Sequence, residues 1–219
     1  MSAASMWTAM QAAIAAVTPY QGSDPVASAA YRAAVGQAMC TAIISEQNSP
    51  VAWDGTNDRI LDVGQFTSDS FTSATSMPLH IACGDGQIYE IDLNGTYTVA
   101  AGISDCSLKM NNAAPPANFN VFALIQNNST TLGQDYQNIV LSGFEFTNFG
   151  ASVYTAHITA YTTTTNKSTR AFYTNAVTGQ YNSGMKNVIS LDTTTVWSSL
   201  GTVIQPNAWT GTIVVRRVA

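Results

Sequence analysis

Charged side chains are scarce in this sequence: Asp, Glu, Lys and Arg make up 10% of its 219 residues, against about 25% in a typical soluble domain. That scarcity excludes a coiled coil, a basic nucleic-acid binder and a charge-rich disordered tail. Histidine occurs twice, so acid–base chemistry has few carriers. The three cysteines show no C-x-x-C spacing and no zinc-ligand pattern with the histidines. Cys83 and Cys106 either meet across neighbouring strands or stay as buried free thiols. No apolar run reaches 18 residues, so no transmembrane helix is expected. The apolar stretch Ala9–Val17 has no basic residue before it, the first being Arg32, and so lacks the charged start of a secretory signal. Synthesis in the cytoplasm without export is the expectation.

The place of the missing charge is taken by 27 Thr, 20 Ser and 16 Asn residues. Such a chain stays soluble through hydroxyls and amides. Its length fits one domain or two small ones and is enough to bury a core without disulfides or metals.

Residues 1–50 read as helical. Met6, Met10, Ala13, Ile14 and Val17 recur at helical period, with Trp7 beside them. Pro19 and Gly22 end that stretch. Asp24 then suits an N-cap and Pro25 the first position of a second helix, where its missing N–H costs nothing. The run from Pro25 to about Gln47 is dominated by alanine, with Tyr31, Val35, Met39, Ile43 and Ile44 as larger members, until Asn48 and Pro50 stop it.

From Trp53 onward the period is two. Tyr89, Ile91 and Leu93 alternate with Glu90 and Asp92, the mark of a half-buried strand. Asp85-Gly86 and Asn94-Gly95 are the dipeptides that tight hairpin turns prefer. They predict a meander of strands at 79–83, 87–93 and 96–101. Alternation recurs at Val140, Ser142, Phe144 and Phe146, and at Tyr154, Ala156, Ile158 and Ala160. Further strands are expected at 119–126, 169–175, 195–204 and 211–218. The fold class is therefore mainly β: two N-terminal helices, then a β-sandwich or jelly-roll-like region of about ten short antiparallel strands. The organisation read from the sequence is a helical segment at 1–50, a meander at 51–110 and a sandwich at 119–219. The stretch Asn111–Asn118 is either a linker between two β-domains or a crossover within one. Residues 1–110 hold ten acids and three bases, residues 111–219 three acids and five bases. Opposite signs at two ends would suit head-to-tail contacts in an assembly.

Catalytic patterns are weak. Neither His80 nor His157 stands in a nucleophile motif, and no G-x-S-x-G or phosphate-binding loop occurs. No cofactor is expected. Asp54, Asn57, Asp58 and Asp62 share a Gly-containing loop but miss the spacing of a calcium loop, so capping aspartates in a turn are the expectation. Glycoside hydrolysis would need a carboxylate pair from Asp135, Glu145 and Asp192, and nothing in the sequence brings two of them together. Trp53, Trp197, Trp209, Tyr154, Tyr161, Tyr173 and Tyr181 are candidates for stacking on sugar rings, or are core. Arg216 and Arg217 are successive strand residues, so they point to opposite faces and read as inter-subunit salt-bridge donors.

Two stretches carry a resemblance: Tyr31-Arg32-Ala33-Ala34 running to Ala42-Ile43-Ile44, and Trp197 to Val203 followed by Trp209-Thr210-Gly211 and the final strand Ile213–Ala219. Joined to the Thr/Asn/Ser-rich β region, they resemble virion structural proteins of tailed bacteriophages, of the head-decoration (cement), head-fibre and tail-fibre kinds. The resemblance implies a non-enzymatic, trimeric protein on a virion, in contact with others such as the major capsid protein. Neither nucleic acid nor membrane is an expected partner. Met6, Trp7, Met10 and Ile14, too small a stripe for a core of their own, would dock on the β region or anchor the chain to a partner. A receptor- or glycan-binding module on the same kind of particle is the alternative.

Overall fold

The computed structural model describes residues 3–97, 106–111, 117–127, 130–141, 143–145, 155–162, 167–177, 180–192 and 197–219. The chain divides into two compact units, Met1–Val51 and Ala52–Ala219.

The first unit is a helix pair. Helix α1 spans Ala3–Ala15 and α2 spans Pro25–Gln47. Asp24 caps α2 as its position predicts: the Val26 N–H donates to Asp24 Oδ1 at 2.9 Å. The two helices pack on one another. Met10, Ala13 and Ile14 of α1 are half-buried, as are Ala27, Tyr31, Val35, Ala38, Met39, Ala42 and Ile43 of α2. Both sets repeat at helical period. No described residue of the pair is fully buried, and Trp7, Val26 and Ile44 are 58, 76 and 56% exposed.

The second unit is one curled, eleven-stranded sheet. Its strands are β1 (Arg59–Ile60), β2 (Phe66–Ala82), β3 (Ile88–Tyr97), β4 (Ser107–Met110), β5 (Ala117–Asn127), β6 (Thr130–Leu141), β7 (Phe144–Glu145), β8 (Thr155–Thr162), β9 (Lys167–Val177), β10 (Gln180–Ser190) and β11 (Ser199–Arg217). The order is β1-β2-β11-β3-β8-β9-β10-β5-β6, with β4 also on β11 and β7 on β4. All pairs are antiparallel except β1–β2. The mainly β architecture read from the sequence is thus present. Strands from both sides of Asn111–Asn118 share one sheet, so 51–110 and 119–219 are not separate domains.

Strand β11 organises the unit. At 19 residues it runs along β2 on one side, and on the other it pairs first with β4 and then with β3. The change of partner falls at an irregularity between Ile204 and Trp209. The two strands expected at 195–204 and 211–218 are therefore one strand with a bulge, which absorbs Pro206.

The predicted meander is not formed. Asp85-Gly86 does make a turn, with Gly86 at φ 78, but β11 lies between β2 and β3, so these two strands are not neighbours. Asn94-Gly95 lies inside β3. Tertiary packing overrides the turn preference there: Gly95 faces Gly211 across the β3–β11 pair, and the Trp209 indole covers both. A Cβ on Gly95 would stand 2.6 Å from that indole, and one on Gly211 2.5 Å. The glycines are needed for close approach. Of the strand expected at 96–101, only Tyr97 and the residue before it are described, and they belong to β3. The alternation expected from Val140 to Phe146 is divided between β6 and β7, and Phe146 lies outside the described residues.

The core sits inside the curl. Tyr89, Ile91 and Leu93 bury together, as their alternation predicts, against Ile158, Ile213, Val215 and the fully buried Trp209. Strand β7 latches the curl across its interior. Phe144 packs edge-on to Phe119 of β5 at 5.2 Å and to Trp197 at 4.8 Å. Beside it Lys186 of β10, 2% exposed in its side chain, donates to Glu145 Oε2 at 2.9 Å. Lys167 is equally buried, donating to the Asp192 carbonyl at 2.9 Å with its ammonium 5.1 Å from the Trp197 ring centre.

The three cysteines are free thiols. Cys83 Sγ donates to the Trp197 carbonyl at 3.3 Å, and burial, reinforced by the Asp58 charge, pushes its thiol up to about 12.

Candidate functional site

The outer face of the sheet departs from the usual rule of polar residues outward. Cross-strand register places Asp92 of β3, His157 of β8, Phe172 of β9, Met185 of β10, Leu124 of β5 and Gly133 of β6 in a single row. Phe172 and Leu124 are 49 and 44% exposed. The neighbouring row runs Glu90, Thr159, Arg170, Asn187, Phe122 and Asp135. On the first row lies an open groove of about 680 Å³, whose polar lining comes from Asp92, Asn94, Thr155, His157 and Ser183.

His157 and Asp92 stand directly opposite across the β3–β8 pair, with Nδ1 and Oδ1 2.6 Å apart. Both are partly exposed at the groove rim. The carboxylate holds the ring by Nδ1, so Nε2 is the nitrogen a ligand would meet. Ser183 stands two strands away on β10, about 10 Å at 4.8 Å per strand, beyond reach of a proton transfer to His157. The arrangement orients hydrogen-bonding groups beside an apolar floor.

His80 has a different setting. It lies within β2 at φ 53, where β2 bulges against β11. Trp53 stacks on its ring at 3.7 Å, and Asp58 Oδ1 is 3.6 Å from Nδ1. Arg59 fixes the bulge from behind: its guanidinium pairs with both oxygens of Asp69 and donates to the Leu79 and His80 carbonyls. Pro78 is accommodated within β2 because β1 pairs only with Ile81 and Ala82, leaving that stretch at the edge.

The remaining candidate residues disperse. Asp54 closes its own loop, accepting from the Thr56 and Asn57 backbone and the Asn57 amide, and these bonds hold its carboxyl below the usual range. Among the described residues no three His, Cys, Asp or Glu side chains gather as metal ligands. Glu145 turns inward to Lys186, whereas Asp135 stands opposite the exposed Phe122 on the outer face. Those two carboxylates therefore cannot share a cleft.

Of the aromatic candidates, Trp209 and Tyr173 are core. Trp197 packs on Phe144, Tyr161 is half-buried, and Tyr154 and the Tyr181 side chain lie outside the described residues. Trp53 is exposed and stacks on His80, while Phe172, exposed in the groove, is a further stacking surface that the sequence reading passed over. Its signal was the Phe172-Tyr173 pair and the unbroken apolar run Val121–Ile125, where alternation lapses and both faces are apolar.

In α1, Met6 lies one turn before Met10; Met10 and Ile14 are half-buried and Trp7 is exposed. Arg216 is exposed and lies over Phe66, 6.0 Å from its ring centre, while Arg217 donates to the carbonyls of Leu61 and Ala219. The second arginine is thus engaged within its own chain. Among the described residues no helix is long and apolar enough to cross a membrane. No family model, curated protein or solved structure matches this chain.

Proposed function

We propose that the protein is a non-catalytic structural component of a larger assembly, acting by subunit packing, and that the assembly is the virion of a tailed bacteriophage, where it decorates the head or forms a fibre. The sequence resemblance supplies the virion. The observation that carries the packing role is the helix pair: a 23-residue helix and its partner leave Trp7, Val26 and Ile44 exposed and bury no described side chain fully. Apolar area on that scale is stabilised by a partner surface. The β unit suits the same role, since hydroxyl-rich faces enter contacts at lower desolvation cost than charged ones.

The test is Trp7→Asp with Ile44→Asp in the full chain, both at exposed positions. The expected result is loss of self-association by sedimentation velocity, with the strand signal in circular dichroism retained. Unchanged association by the doubly substituted chain would remove the helix pair as the packing element.

A further inference from the structure

We propose that the outer groove binds a neutral saccharide, with a pyranose ring seated on Phe172 and its hydroxyls held by Asp92 and His157. This goes beyond the packing role and does not depend on it. Three observations carry it. First, the groove of about 680 Å³ has the dimensions of a small-ligand site. The accessible part of its apolar floor is Phe172, Met185 and Leu124, with the buried Leu93, Ala156 and Tyr173 reaching it at their edges, a surface short of the roughly 800 Å² per partner that a stable protein contact buries. Second, the floor adjoins a fixed polar end. Asp92 offers a carboxylate to ring hydroxyls, and its bond to Nδ1 at 2.6 Å orients the His157 ring. Asn94 and Thr155 extend this end with an amide and a hydroxyl. A pyranose has this division, with an apolar C–H face that lies on an aromatic ring and a rim of hydroxyls. Third, among the described residues no Lys or Arg lines the groove, so an anionic ligand finds no counter-charge from them.

The experiment is a glycan array containing neutral and acidic glycans, bacterial surface polysaccharides included. Titration calorimetry with the strongest neutral hit then compares wild type with Phe172→Ala and Asp92→Asn. Both substitutions are at exposed positions, and thermal melts verify the fold. The expected result is capture of neutral glycans and a loss of about tenfold or more in affinity in each variant, the scale of one stacking contact or one charge-assisted hydrogen bond. Absence of neutral-glycan binding, preference for acidic glycans, or affinity retained in both variants would overturn the proposal. Native mass reports subunit packing separately, so failure of one reading is distinguishable from failure of the other.

Discussion

Single residues in this protein are constrained most where two strands approach closely. Gly95 and Gly211 are opposed so that Trp209 can lie over them, and any added methyl group meets indole or backbone. Gly95→Ala should therefore destabilise the fold by about 2 kcal/mol, the usual cost of overpacking, read as a lower urea midpoint at unchanged slope. Buried titratable groups give a second expectation. Burial pushes Cys83 from 9.0 and Tyr89 from 10.0 up to about 12 each. Below pH 9 both groups keep their protons folded and unfolded, so their contribution to stability is complete. Between pH 9 and 12 the unfolded chain releases protons first, so stability falls as pH rises. Urea midpoints measured from pH 8 to 11 should decline above 9; a flat profile would contradict the burial of both groups. The alternation of Tyr89, Ile91 and Leu93 was legible because it is local. The meaning of Asn94-Gly95 was not, because the residue that requires the glycine is more than a hundred positions away.

Elements show the same division between local and distant causes. The cap of α2 was legible from Asp24 and Pro25, and the two helix breaks from Pro19 and Gly22 and from Asn48 and Pro50, all of which act locally. The course of β11 was not: Pro206 and the polar residues around it read as a boundary, yet the strand continues past a bulge because β2 runs unbroken alongside. The latch between β7 and β10 was also hidden, since neither Glu145 nor Lys186 has a sequence feature that names the other. With Lys186 buried, neutralising Glu145 takes away the carboxylate charge 2.9 Å from its ammonium. Glu145→Gln should destabilise by about 3 kcal/mol, whereas Lys186→Met combined with Glu145→Leu should fall near wild type. Chemical denaturation of the single and double variants checks this. Equal losses in both would place the effect in packing rather than charge.

At the scale of the whole chain, the charge asymmetry changes meaning. Along the main order of the sheet the strands of the acidic first half (β1, β2, β3) and most of those of the second half (β8, β9, β10, β5, β6) stay at opposite ends, and β11 crosses over to lie between β2 and β3. Arg216 stands directly opposite Glu90 in register, a placement that favours attraction between neighbouring strands. That crossing places Arg216 and Arg217 among the acidic strands and lowers the asymmetry at that end of the sheet. Under the proposed packing role, contacts between subunits would rest on apolar and hydroxyl-rich surface. The outer groove was illegible for a related reason. Its residues come from β3, β8, β9, β10 and β5, and only the register aligns them; of the aromatics that stood out in the sequence, Trp209 is core and Tyr173 is buried beneath the groove it lines. The central claim, that this chain works as a packed subunit, is tested most directly by native mass measurement of the full-length protein at micromolar concentration. The account predicts a species of three 23.2 kDa chains; a single chain at every concentration would contradict it.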